Sequence, residues 1–123
     1  MTRTIHLAIF SNGPRPAHYS LFIPTGNAGP KGKIIHVTGN IALGFHHQFK
    51  RNYDFGDEER KYILLPLAEV DERYIRDSPV ESPPSEDATA RDRLESEALP
   101  VRPPGPNPRP FDPLVWFWYL HAR

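Results

Sequence analysis

The chain has 123 residues, 15 basic against 15 acidic side chains, 15 prolines, no cysteine and only 38% hydrophobic residues. That length holds one domain with little stability to spare. The missing cysteine excludes disulfide scaffolds, Cys-ligated zinc or iron–sulfur sites and a thiol nucleophile, and zero net charge argues against a globally basic nucleic-acid binder.

Short β-branched and aromatic runs separated by Gly, Pro and Asn fill the first part of the chain, a strand-and-turn pattern. They predict strands over Thr4–Phe10, Ala17–Ile23, Lys33–Thr38, Gly44–Tyr53 and Lys61–Leu65. The Ile5–Phe10 run, interrupted by His6, is too short for a signal peptide, and no stretch nears the roughly 20 apolar residues of a membrane span. A soluble, cytoplasmic protein is expected. After Pro66, the spacing of Leu67, Val70 and Tyr74 predicts a short helix. These elements make up a β-rich core over residues 1–76. The fold class expected is α+β, a small antiparallel sheet of about four to five strands with one or two short helices.

Ten of the fifteen prolines fall between Pro79 and Pro113, so residues 77–113 are expected to be an acidic, then proline-rich, partly disordered linker, with extended polyproline II at 78–86 and 100–113. Between these, residues 87–99 predict a short helix with Ser85 as N-cap and Pro100 as stop. Its apolar stripe, Ala88, Ala90, Leu94, Ala98 and Leu99, suggests weak docking or none. Residues 114–123 place both tryptophans in one aromatic run. Three readings of that run stay open: an element returning to the core, an exposed sticky tail for a partner or a membrane surface, or a terminus foreign to the fold.

Charge is also uneven. Residues 1–56 carry a balance of +5, residues 57–100 of −7, and residues 101–123 of +2. Arg3, Arg15, Lys31, Lys33, Lys50 and Arg51 form no run and are expected to line a solvated face. Asp57 to Lys61 is expected to be a solvated turn, and Gly26, Gly29 and Gly32 belong to a hairpin loop rather than a phosphate cradle.

His18 and His36 each lie in a predicted strand among apolar neighbours. A hairpin centred on Asn27 would pair them directly, and any register with an even sum of positions keeps both on one face with Ser20 and Thr38. One imidazole could then serve as a base while the other orients it. The plainer reading is two half-buried histidines bonded to backbone or hydroxyl groups. His46 and His47 are adjacent and should point to opposite faces, and no carboxylate accompanies them, so no metal or other cofactor is expected.

The segments Pro16-Ala-His-Tyr-Ser-Leu-Phe-Ile-Pro24 and Gly32-Lys-Ile-Ile-His-Val-Thr-Gly39 resemble paired strands of the circularly permuted papain-like proteins, the branch around lecithin:retinol acyltransferase and the NlpC-type peptidases. They also resemble a set of small fungal proteins with His-aromatic-small-Leu-Phe-Ile-Pro followed by Ile-His-Val-x-Gly. The resemblance covers about residues 4–75 and implies that His18 is the general base and His36 its orienting residue. It also implies a cysteine on a following helix, which this chain lacks. The resulting expectation is a catalytically incompetent or shortened relative of cysteine hydrolases and acyltransferases. Ser20 is a poor substitute, because a strand serine has no helix N-terminus to lower its pKa. The alternative is a non-enzymatic interaction module that uses the aromatic tail or the proline-rich linker.

Overall fold

The computed structural model describes residues 1–40, 42–103 and 105. The expectations for residues 114–123 lie outside the described residues. Among the described residues six strands form one antiparallel sheet: β1 (Thr2–Phe10), β2 (His18–Pro24), β3 (Lys31–Asn40), β4 (Gly44–Asp54), β5 (Tyr62–Asp71) and β6 (Ser85–Asp87). Their order is β5-β1-β2-β3-β4-β6, a four-strand meander extended at each edge by a later strand. A single α-helix, α1 (Arg93–Ala98), occurs among the described residues. All five strands predicted from sequence form, each with somewhat different ends.

The α+β expectation of four to five strands with one or two helices is therefore corrected to a predominantly β fold. Two local decisions account for the difference. Pro66 does not start a helix; it sits inside β5 opposite His6, on an edge strand where its missing N–H interrupts no inner ladder. Ile5 pairs with Ala68 and His6 with Pro66, so Leu67 is the extra residue of a bulge and stays 57% exposed. Val70 faces inward because it alternates as a strand residue, packing with Ile5, and Tyr74 falls in a 3₁₀ turn (Glu72–Tyr74). Secondly, three residues of the expected linker pair with β4 as β6, which confines the helix read over 87–99 to six residues. Asp92, not Ser85, is its N-cap, accepting from Glu95 N–H at 2.8 Å.

Side-chain alternation gives the sheet two apolar faces. On one, Ala8, Phe10, Phe22, Ile34 and Phe55 form a buried cluster with Tyr53 and Leu64 against it. Phe55, carried by a 3₁₀ turn after β4, stacks on Phe10 at 5.7 Å and meets Phe22 edge-on at 4.7 Å. On the other face, Ile5, Ile23, Ile35 and Phe49 lie beneath Ile75, Ala90, Leu94 and Ala98. Residues 75–98 thus form a strap across this second face, and α1, expected to dock weakly or not at all, is anchored in it.

Three cations under the strap explain the anchoring. Arg3, Lys33 and Arg51 are 6%, 5% and 2% exposed, which corrects the expectation of a solvated face for these three, whereas Arg15 is exposed and Lys31 and Lys50 are half-buried. Arg3 forks onto Asp77 at 2.9 and 3.2 Å and donates to the Pro24 carbonyl. Lys33 donates to Asp92 and Glu95 at 2.5 and 2.6 Å. Arg51 takes both oxygens of Glu95 at 2.8 Å and both oxygens of Asp87. Glu95 is fully buried. Burial pushes its carboxyl up, but hydrogen bonds from Arg51 and Lys33 outweigh that and hold it below the ordinary value. The positive first half and the negative second half of the chain neutralise each other across this face.

Two backbone devices set the registers. Asn52 adopts φ 52° at a bulge in β4, a left-handed conformation that asparagine tolerates, and its amide donates to the Pro79 and Ser82 carbonyls of the strap. Gly32 is paired on both sides, with Pro24 and Tyr53, and a β-carbon there would collide with the Ile23 carbonyl. Among the described residues no helix is long and apolar enough to cross a membrane.

Candidate functional site

The β2–β3 ladder pairs Leu21 with Ile35 and Ile23 with Lys33, a sum of 56 rather than 54. The two-residue offset comes from the loop, where Gly26, Asn27 and Gly29 all have positive φ and Asn27 is tied to Thr4 N–H through its side chain. Continued along the strands, this register sets Ser20 opposite His36 and His18 opposite Thr38. The histidines are therefore diagonal neighbours on one face, as any even sum requires. Their side chains close the gap: His18 Nε2 lies 2.7 Å from His36 Nδ1, with ring centroids 4.9 Å apart and nearly perpendicular.

Gln48 completes the row from the next strand. It pairs with His36 in the β3–β4 ladder, and its Oε1 lies 2.7 Å from His36 Nε2. With that amide oxygen facing the ring, His36 donates through Nε2 and accepts at Nδ1, so the bridging hydrogen belongs to His18 Nε2. His18 Nδ1 is left with its lone pair, the state a proton acceptor needs. Gln48 was not among the residues singled out by sequence, although the turn at Gly39 and Asn40 places it opposite His36 once a hairpin is assumed.

The pair borders the aromatic cluster. Phe10 lies 5.9 Å from His18 between ring centroids, and the Arg60 guanidinium lies over the Phe10 ring at 4.3 Å. Burial, then the neighbouring His36, Arg60 and Lys50, push the His18 imidazole down to about 4. Burial also lowers His36, opposed by its hydrogen bond to Gln48. Both rings are neutral at pH 7. The segment Asp57 to Lys61 is mostly exposed, as expected of a solvated turn, but half-buried Glu58 and the Arg60 side chain join this rim. Arg60 holds Glu58 by two side-chain hydrogen bonds at 2.8 and 3.0 Å, and Tyr53 donates to the same carboxylate. The Arg60 bonds hold Glu58 down at about 2, and burial followed by the Glu58 contact pushes Tyr53 up to about 12.

The remaining site candidates lie apart. Ser20 Oγ is 3.5 Å from His36 Nδ1, but the residue is 4% exposed and so closed to a substrate. His46 opposes Thr38, while His47 faces the strap side and bonds the Val101 carbonyl at 2.7 Å. Among the described residues no three His, Cys, Asp or Glu side chains form a group able to hold a metal ion.

The low His18 value sets an acid sensitivity. Above pH 6.5 neither the folded nor the unfolded chain protonates these rings. Between 6.5 and about 4 the unfolded chain binds protons that folded His18 refuses, so stability falls as pH falls through that window and His18 adds no further loss below it. After discounting for partial exposure, the loss is about 1–2 kcal/mol. Unfolding free energies from urea titrations at pH 7.5 and 4.8 should differ by that amount in the wild type and by clearly less in His18→Gln/His36→Gln. An equal drop in both proteins would remove the pair as its source. The carboxylates, with ordinary values of 4.5 for Glu and 3.8 for Asp, are mostly ionised in both states at pH 4.8 and take over as pH falls further.

Comparison with curated proteins and with solved structures gives no match. A family model does match, and over nearly the whole sheet and strap: residues 5–115 fit it. The chain that carries the Gln48–His36–His18 row therefore belongs to the family of unknown function DUF6540.

Proposed function

We propose that this chain is a catalytically incompetent relative of papain-like cysteine hydrolases and acyltransferases, one that keeps the base and its orienting residue without a nucleophile. The observation behind this reading is the hydrogen-bonded Gln48–His36–His18 row in a sequence with no cysteine. Thiol acyl transfer needs a thiolate, which an adjacent imidazole helps generate and then pairs with as the cation. Here no thiolate exists to hold the imidazolium, and burial, then His36, Arg60 and Lys50, drive His18 toward its neutral form. Ser20, whose hydroxyl lies 3.5 Å from His36 Nδ1, is buried.

The proposal is tested with purified protein, a thioester and a peptide substrate at pH 7.5. Turnover is expected to equal the buffer background and to be unchanged in His18→Ala. Turnover above background that His18→Ala abolishes would overturn the reading.

A further inference from the structure

One edge of the sheet is β5, and among the described residues no strand lies against its outer side. The inner ladder fixes which of its groups face outward. Ser11 N–H donates to the Lys61 carbonyl, so antiparallel alternation turns the backbone groups of Ile63 and Leu65 toward β1 as well. The N–H and C=O of Tyr62 and Leu64 therefore point away from the sheet, as does the Pro66 carbonyl. The side chains around them are apolar and open to solvent: Ile63, Leu65 and Tyr62 are 54%, 46% and 38% exposed. Such an edge is a template for another strand.

We propose that the strand it takes is β5 of a second copy of this chain, joined edge to edge about a two-fold axis at Leu64. The pattern is self-complementary, as a two-fold contact requires. The opposed Leu64 residues exchange N–H and C=O bonds, and each Tyr62 N–H donates to the Pro66 carbonyl of the other copy. Pro66 enters only as an acceptor, so its missing donor removes one bond on each side. Between these pairs Ile63 of one copy faces Leu65 of the other, at non-hydrogen-bonded positions where side chains approach closest. An axis at Ile63 would instead set each Leu65 against Lys61 and lose that apolar match. Charge agrees with the antiparallel sense: Lys61 and Glu69 are exposed, and among the described residues neither is in an ion pair. Beyond the Leu67 bulge, the register carries Lys61 of each copy toward Glu69 of the other. The paired stretch 62–66 is short and buries less than about 1,200 Å² in total, so the dimer is weak and depends on concentration.

Amide exchange with water, followed by NMR, reads the contact residue by residue. Raising the protein from about 50 µM to about 1 mM, where weak interfaces assemble, should slow exchange at Tyr62 and Leu64 severalfold and leave Ile63 and Leu65, already in the inner ladder, less changed. Sedimentation over the same range should show the mass rising from 14.1 kDa toward twice that value. Leu64→Pro removes the central donor without touching the inner ladder and should stay monomeric throughout. Because Leu64 also packs on the aromatic cluster, Ile63→Lys/Leu65→Lys is the second variant, at positions already open to solvent. It should keep the far-UV spectrum and stay monomeric too. A wild type that remains monomeric at the highest concentration would overturn the proposal. So would a dimer that the two lysines leave in place, a dimer of folded Leu64→Pro, which would assign the contact to a face of the sheet, or exchange at Tyr62 and Leu64 that ignores concentration.

Discussion

Replacing Glu95 by alanine is expected to destabilise the protein by about 3–5 kcal/mol, the range for breaking a buried ion pair from one side. The carboxylate is fully buried and binds two cations that are themselves buried, Lys33 at 2.6 Å and Arg51 at 2.8 Å through both guanidinium arms. It also accepts the Arg91 backbone N–H, so one truncation strips partners from three donors. Asp92 and Asp87 stay beside Lys33 and Arg51, which keeps the loss from exceeding that range. For a chain of this length, total stability is about 6–18 kcal/mol, so the substitution removes a large share of it. The loss follows from stranded charge rather than from missing attraction. Lys33→Met/Arg51→Met/Glu95→Leu, combined with Asp87→Asn and Asp92→Asn so that no carboxylate loses its cation, should therefore be markedly more stable than Glu95→Ala alone. Urea titration of the two variants measures the contrast. A single variant within about 1 kcal/mol of wild type would show that water reaches the strap.

Phe10→Ala should be comparably costly, about 3–5 kcal/mol, through the cavity it leaves. Phe10 is 2% exposed and is wedged among Phe55, Tyr62 and His18, with Arg60 across its ring. This change also reaches the site. Burial is the largest cause of the depressed His18 value, and Phe10 supplies part of that burial, so its removal should return the imidazole toward 6.5. NMR titration of the histidine ring protons reads this directly. The combination of lost stability and an upward His18 titration distinguishes Phe10 from a core residue remote from the pair, such as Phe49, whose truncation should lower stability alone. An unmoved His18 titration in Phe10→Ala would assign the depression to His36 and the cations instead.

The first five strands were legible because each is a short β-branched or aromatic run bounded by turn residues, and the His18–His36 face followed from parity alone. Register was less so, since the loop between Pro24 and Lys31 sets the offset through positive φ at Asn27, which composition does not specify. The helix read at Leu67, Val70 and Tyr74 failed because three apolar residues fit a helical period as well as a bulged strand, and only the free edge of β1 decides between them. Gln48 was hidden for a similar reason: a glutamine becomes an orienting group only when a neighbouring strand brings an imidazole opposite. The strap was hardest to see. Its proline and acidic content read as a solvated linker, because local sequence does not reveal that Arg3, Lys33 and Arg51 lie buried and wait for those acids.

That wait has a kinetic side. Lys33 and Glu95 are 62 positions apart, and Arg3 and Asp77 are 74 apart. Contacts between such distant positions close late, because the loop entropy is spent before they form. A growing chain that has completed the first four strands still holds three cations on a face it cannot dry. That half of the sheet stays wet until the residues around Glu95 arrive, and the sheet and its cover should then set together in one cooperative step.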